Sequence, residues 1–132
     1  MKEERNIITI DEQGGLKMPT DTAAIWMTET EIVELFGTTA GTVHGGIKAI
    51  FEENILHDYE ARKYVLLENG NGADVYNLEI VVALAFRIRS QGATRLREYI
   101  FRTLGVVNKQ PAINILMACT YKTGGHSRQI YN

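Results

Sequence analysis

Cysteine is nearly absent from this sequence, and long apolar runs are missing altogether. The only cysteine among the 132 residues is Cys119, so the chain cannot form an internal disulfide, which fits a reducing compartment. No apolar stretch approaches the roughly 20 residues that a membrane-spanning helix needs. The charged opening, Met1–Arg5, predicts neither a signal peptide nor a transit peptide. We therefore expect a cytoplasmic protein that does not bind a membrane.

The residue patterns that carry catalytic or metal chemistry are missing too. His44, His57 and His126 do not form a His-x-x-x-His pair, and no Cys-x-x-Cys pair exists to complete a zinc site. Cys119 lies in an apolar run, so we interpret it as a small core residue rather than as a nucleophile. The glycines of Asn69–Gly72 are not followed by the Lys-Ser/Thr of a phosphate-binding loop. We therefore predict a protein that is not an enzyme and holds no metal and no cofactor.

The charge is small in total but unevenly distributed along the chain. Residues 1–86 contain 6 Lys and Arg against 15 Asp and Glu, whereas residues 87–132 contain 8 against 1. The net charge of −2 is therefore the sum of −9 and +7. Such an asymmetry indicates an anionic partner for the basic part, or a match between the two parts within or between subunits.

A helix-turn-helix pattern runs from Thr28 to Phe51. Thr28 and Glu31 have the spacing of a reciprocal capping box, which predicts that a helix begins there. Gly37 is the expected left-handed stop, and Gly37–Thr39 predicts a short turn. A second helix follows, because four apolar residues recur at helical spacing: Val43, Ile47, Ile50 and Phe51.

Two hairpins flank this pattern. Asn6–Ile10 and Leu16–Met18 read as short strands around a glycine pair that permits a tight turn. Tyr64–Glu68 and Ala73–Tyr76 flank two Asn-Gly steps, which are strong hairpin signals. Because the second hairpin follows the helix-turn-helix, it suits a wing or a small supporting sheet.

Two further helices are predicted. Asn77 caps an almost wholly apolar segment from Leu78 to about Ser90, which indicates a buried central helix. Gly92 is expected to break it. A last helix, Thr94–Leu104, has an apolar face made of Leu96, Tyr99, Ile100 and Leu104.

The patterns together predict an α+β fold: a helix-turn-helix with small antiparallel, wing-like β-hairpins and a buried central helix. We divide the chain into a domain over residues 1–105 and a tail over 106–132. Alternation from Ile113 to Tyr121 favours a strand in the tail, although a helix also fits this stretch. The last residues, from Gly124, are expected to be mobile.

Several separated motifs resemble one protein family. The runs IWMTETEIVELFGTT, IKAIFEENIL, VYNLEIVVALAFRIRS and TRLREYIFRTL are similar, in order and spacing, to the N-terminal domain of RhuM-family virulence-associated proteins of bacteria. That domain is itself similar to the Bro-N domains of phage antirepressors. The match covers about Ile7 to Leu104. It implies a DNA-binding, non-catalytic α+β domain of the kind found in mobile elements and prophages.

The resemblance has two departures. Relatives tend to carry larger polar residues in the second helix, often with a histidine just before the Ile-Lys pair. Here Gly45 and Gly46 occupy those positions, and the histidine is displaced to His44. Relatives also often have a tryptophan late in the final helix, where Tyr99 stands here.

The candidate DNA contacts on the second helix lie opposite its apolar stripe. This outward face comprises Gly41, Thr42, His44, Gly45 and Lys48. Lys48 is the one side chain among them with a strong preference for base edges, and Thr42 is a weaker candidate. With Thr39 at the start of the helix, the predicted groove contacts are Thr39, Thr42, His44 and Lys48.

A second candidate surface is formed by arginines near the end of the domain. We expect two or three of the five residues Arg87, Arg89, Arg95, Arg97 and Arg102 to be structural, with Arg97 the first of these. Arg89, Arg95 and Arg102 are the predicted phosphate contacts, because arginines supply salt-dependent affinity for the DNA backbone. A homodimer on double-stranded DNA is expected from the usual symmetry of such proteins.

An alternative function is a protein–protein interaction module with a degenerate helix-turn-helix. Gly45 and Gly46 each weaken a helix by about 1 kcal/mol relative to alanine. The acidic first 86 residues would also repel phosphates. On this alternative the glycine face or the tail packs against another protein.

Overall fold

The computed structural model describes residues 5–54 and 56–105. These residues form a mixed α+β fold with two small antiparallel sheets. The predicted strand from Ile113 to Tyr121 lies outside them, as do Cys119 and His126. No helix in the described ranges is both long and apolar enough to cross a membrane.

The first sheet is the hairpin predicted near the start of the chain. Strand β1 (Thr9–Ile10) pairs antiparallel with β2 (Leu16–Lys17). The turn between them places Gly14 at φ +86°, which a glycine adopts without steric cost. Both strands are shorter than predicted. Asn6 is not part of the hairpin. It forms an isolated parallel β-bridge with Ile25, the residue before the first strand of the second sheet.

The second sheet has three antiparallel strands in the order β3-β5-β4. Strand β3 is Trp26–Met27, β4 is Arg62–Leu66 and β5 is Gly72–Asn77. The hairpin β4–β5 is closed by the predicted Asn-Gly turn, in which Gly70 has φ +90°. The pairing of β3 with β5 was not predicted, because two residues are too few to show a strand period.

Two helices follow β3 and are joined by a short turn. Helix α1 (Glu29–Phe36) begins at Thr28, whose capping box is complete, and ends at Gly37 in the left-handed conformation, φ +66°. Helix α2 (Ala40–Glu52) begins at Thr39, whose hydroxyl accepts the N–H of Thr42. The predicted start and end of α1 and the predicted turn before α2 are confirmed.

The later helices depart from the prediction. After the single turn α3 (Asp58–Ala61) and the hairpin, α4 spans Leu78–Ala85 and α5 spans Gln91–Leu104. The helix predicted to reach Ser90 therefore ends five residues earlier. Ser90 is instead the N-cap of α5, and Gly92 lies inside α5 rather than breaking a helix. Gly92 is buried against α1, where only a residue without a side chain fits.

The core is built around α4. This helix contacts α2, α5 and β5, and its side chains Ile80, Val81 and Leu84 are completely buried. Its cap is Asn77, as predicted. Side chains from the rest of the fold pack around α4 in one hydrophobic cluster. This cluster includes Ile8, Ile25, Met27, Ile32, Phe36, Val43, Ile47, Ile50 and Leu96.

The apolar face predicted for the last helix is wrong at its end. Leu104 is 67% exposed, whereas Phe101 is only 6% exposed. Phe101 packs edge to face against Phe86, with ring centroids 5.8 Å apart. The early end of α4 places Phe86 in the connection between the helices, which makes this pairing possible.

Candidate nucleic-acid interface

One side of α2 is open to solvent. Val43, Ile47 and Ile50 are buried, because their helical spacing aligns them against α1 and α4. The opposite side presents five exposed residues: Gly41, Thr42, His44, Gly45 and Lys48. The structure thus brings the predicted groove contacts together on one helix face, with Thr39 at its start.

The two threonines are partly engaged within the helix. The hydroxyl of Thr39 accepts the backbone N–H of Thr42 at 3.1 Å and lies 2.8 Å from the Thr42 hydroxyl. Both residues are exposed. Their hydroxyls can contact a ligand at the N-terminal end of α2, where the backbone N–H groups favour negative charge.

His44 is held by a residue of α1. Its Nδ1 lies 3.1 Å from Oε2 of Glu29, at the first position of that helix. The Tyr76 hydroxyl on β5 donates to the same oxygen at 3.4 Å. The His44 side chain remains 69% exposed, whereas that of Glu29 is 32% exposed. The imidazole is therefore anchored on one edge and open on the rest.

Tyr76 keeps its proton in this arrangement. Burial raises the pKa of its hydroxyl above the ordinary value, an effect that a hydrogen bond from Arg62 opposes. The nearby carboxylates of Glu29 and Asp74 raise this pKa further. A shallow groove of about 270 Å³ runs beside the cluster, lined by Thr28–Thr30 and by Ala73, Asp74 and Tyr76. Two carboxylates therefore line this groove, and one of them, Glu29, contacts the open face of α2 through His44.

The adjacent glycines of α2 have different surroundings. A Cβ at position 45 would have no atom of the described residues within 4 Å, so Gly45 faces open space. A Cβ at position 46 would lie 2.6 Å from Cδ2 of Leu84. Gly46 therefore belongs to the close contact between α2 and α4 rather than to the open face. The helix continues unbroken through both residues.

Arg97 and Arg87 make contacts with a structural role. Arg97 donates to the carbonyl oxygens of Ala85 and Ile88, so it closes the junction between α4 and α5. Arg87 forms an ion pair with Glu53 at 3.2 Å. The structural role predicted for Arg97 is confirmed.

The three predicted phosphate contacts lie on other elements than α2. Arg89 is exposed in the connection before α5, and Arg102 is exposed in the last turn of that helix. Arg95 is half-buried, and its guanidinium lies against Gly14 in the first hairpin. Arg95 and Arg102 are seven residues apart and so share one face of α5.

Arg95 and His44 lie at opposite ends of α1. Arg95 lines a groove of about 550 Å³ together with Glu34 and Gly37, at the C-terminal end of that helix. His44 contacts Glu29 at its N-terminal end. Seven helical steps separate Glu29 from Phe36, which is about 10 Å along the axis. The structure therefore does not bring Arg95 beside His44.

Some residues near this surface were missed in the sequence. Glu29 and Tyr76 had no recognisable pattern, because the contact of Glu29 with His44 depends on the packing of α1 against α2, and its hydrogen bond from Tyr76 depends on the pairing of β3 with β5. Lys63 lies 4.4 Å above the ring of Trp26, and Arg62 lies 5.4 Å above that of Phe51. The basic residues of the second hairpin are thus packed on aromatic rings.

Metal-binding chemistry has no cluster to support it in the part of the chain that the structure describes. There, no three His, Cys, Asp or Glu side chains come together as a metal site would require.

Comparisons of the chain with protein-family models, with curated proteins and with solved structures found no match.

Proposed function

We propose that α1 and α2 form a helix-turn-helix and that the protein binds double-stranded DNA through the open face of α2. The observation that carries this proposal is the division of α2 into two sides. Its apolar stripe is buried, while five residues on the other side are all exposed on a helix held by two neighbours. A rigid, outward-facing second helix is what major-groove recognition uses.

The surrounding topology supports the proposal. The hairpin β4–β5 follows α2 after the single turn α3, and it shares a sheet with β3, the strand before α1. On this proposal, a hairpin in this position serves as a wing beside the recognition helix. The resemblance to RhuM and Bro-N domains has the same implication, and it adds a mobile-element or prophage setting and a non-catalytic role to the proposal.

Individual residues have different roles in this proposal. Lys48 donates to guanine edges or to phosphate, and Thr42 makes a weaker base or phosphate contact. Gly41 and Gly45 lack side chains, so the DNA backbone can approach the helix closely there. Arg89, Arg95 and Arg102 contact phosphates beyond the groove. The protein acts as a homodimer, each copy contacting one half-site.

Fluorescence anisotropy of a labelled duplex tests the proposal on the full chain. The affinity is expected to fall steeply between about 50 and 200 mM salt, because phosphate contacts release counterions. Lys48→Ala should weaken binding and reduce the salt slope by about one. Lys17→Ala is the matched control, since it removes an equal charge from the exposed edge of β2. An equal effect of both variants would contradict the assignment of α2.

A second candidate function is supported by one specific observation. Glu29 contacts His44 on the open face of α2, and Asp74 lines the same groove as Glu29; carboxylates there repel phosphate and attract a basic protein surface. On this alternative, the face binds another protein. Light scattering on the full chain, alone and mixed with duplex, separates the two functions: a dimer that gains the mass of the duplex supports DNA binding, and an unchanged mass supports the alternative.

A further inference from the structure

The contact between His44 and Glu29 determines where the imidazole carries its proton. An ionised carboxylate can only accept hydrogen bonds. Because Nδ1 of His44 lies 3.1 Å from Oε2 of Glu29, Nδ1 must be the donor. In a neutral imidazole the other nitrogen is then an acceptor.

We propose that Glu29 is a positioning residue that holds His44 in the Nδ1–H tautomer, so that the open face of α2 presents an acceptor at Nε2 for the exocyclic amine of cytosine or adenine. The second half of this inference rests on the proposed function, and the first half does not. The acceptor recognises the N4 amine of cytosine or the N6 amine of adenine, the two amines displayed in the major groove.

Glu29 is itself fixed from two directions. It is the first residue of α1, directly after the capping residue Thr28, where its charge is favoured by the helix N-terminus. Its Oε2 also accepts from the hydroxyl of Tyr76, which is 3% exposed and anchored in β5. The Tyr76 hydroxyl therefore helps to hold the carboxylate beside the imidazole, and the 69% of the His44 side chain that stays exposed can face a ligand.

His44 and Lys48 form complementary contacts on the same face. Lys48 follows His44 by four residues, about 6 Å along the helix axis, and its ammonium group can only donate. An acceptor and a donor at this separation span neighbouring base pairs, which lie about 3.4 Å apart. The face would therefore prefer cytosine or adenine at one position and guanine one or two base pairs away.

Nitrogen NMR of the histidine rings tests the tautomer without DNA. The full chain is measured at about pH 8.5, above the range in which imidazoles usually change charge, and His44→Gln identifies the signal. We expect a protonated Nδ1 and a bare Nε2 in the native chain. Glu29→Ala should shift His44 towards the Nε2–H form, whereas Glu34→Ala, which removes the same charge from α1, should not. A native His44 protonated mainly at Nε2 would overturn the inference.

Selection from a pool of random duplexes at the same pH tests the base preference. The native chain and Glu34→Ala should retain cytosine or adenine at one position. Glu29→Ala should lose about two- to tenfold of that preference, the discrimination that one hydrogen bond supplies, and should keep the guanine preference of Lys48. An unchanged preference in Glu29→Ala overturns the positioning role. If no duplex is retained while the Nδ1–H form is observed, the proposed function and the base preference fail, and the Glu29–His44 assignment stands.

Discussion

The carbonyl oxygen of Leu35 lies 2.1 Å from the point that a Cβ atom at position 92 would occupy. The second residue of α5 therefore lies directly on the last turn of α1, closer than any side chain permits. This contact fixes α5 against the helix that precedes the turn Gly37–Thr39. The orientation of the candidate DNA-binding helices thus depends on a glycine far from their open face.

Gly92→Ala is predicted to destabilise the protein by about 2 kcal/mol or more, because the new methyl group meets backbone atoms that cannot rotate away. Gly45→Ala is the matched control, since its methyl group points into open space and alanine favours a helix by about 1 kcal/mol. Urea unfolding followed by circular dichroism measures both. Similar stabilities for the two variants would contradict the close contact between α1 and α5.

Gly46→Ala is predicted to change the free energy of unfolding by less than about 1 kcal/mol, a balance of helix propensity against repacking. Its methyl group would lie 2.6 Å from Cδ2 of Leu84, the end of a side chain that can move. The measurement is the same unfolding experiment. A loss as large as that of Gly92→Ala would mean that α2 and α4 are too rigid to separate.

Arg97→Met is predicted to lower the stability by about 1 to 3 kcal/mol, because the carbonyl groups of Ala85 and Ile88 lose a charged donor. Arg102→Met removes the same charge from an exposed position in the same helix and should cost less than about 0.5 kcal/mol. Thermal unfolding compares the two. Equal losses would show that charge rather than the helix junction determines the effect.

The stability is predicted to fall in acid partly through Glu31. Burial alone would raise the pKa of this carboxyl, but hydrogen bonds from Arg5 and Thr28 and the charge of Arg5 together hold it below its ordinary value. A lowered pKa in the folded state stabilises the protein above the unfolded pKa. This contribution is lost as the pH falls through the folded pKa.

Arg5→Met measures that contribution, with Lys17→Met as the control for losing one exposed cation. The difference in unfolding free energy between the native chain and Arg5→Met should shrink from about pH 7 to about pH 3 as Glu31 is protonated. The difference for Lys17→Met should change less. A constant difference for Arg5→Met would contradict the assignment of this pair.

Local signals in the sequence predicted the helices and strands around the candidate site, whereas contacts between residues distant in the sequence could not be predicted. Thr28, Gly37 and Asn77 act on neighbouring residues, so their roles could be predicted from spacing alone. The end of α4 depends on Arg97, twelve residues after the Ala85 carbonyl that it satisfies. No local pattern records such a contact.

The candidate site also combines features that local sequence patterns predicted with contacts that they could not predict. The outward face of α2 followed from helical periodicity, and the structure has all of its members exposed. The hydrogen bond from Tyr76 to Glu29, the residue that contacts His44, needed the pairing of β3 with β5, because these two residues are 47 positions apart in the sequence. The role of Gly46 likewise depended on the position of Leu84.

Backbone NMR during titration with duplex DNA tests the central claim, that the open face of α2 binds DNA, most directly. In 1H–15N spectra of the full chain, we expect the largest shifts at the amides of this face: Gly41, Thr42, His44, Gly45 and Lys48. The amide of Lys17 on β2 should be unaffected. Shifts confined to other elements, or none at a salt concentration of about 50 mM where phosphate contacts are strong, would contradict the account.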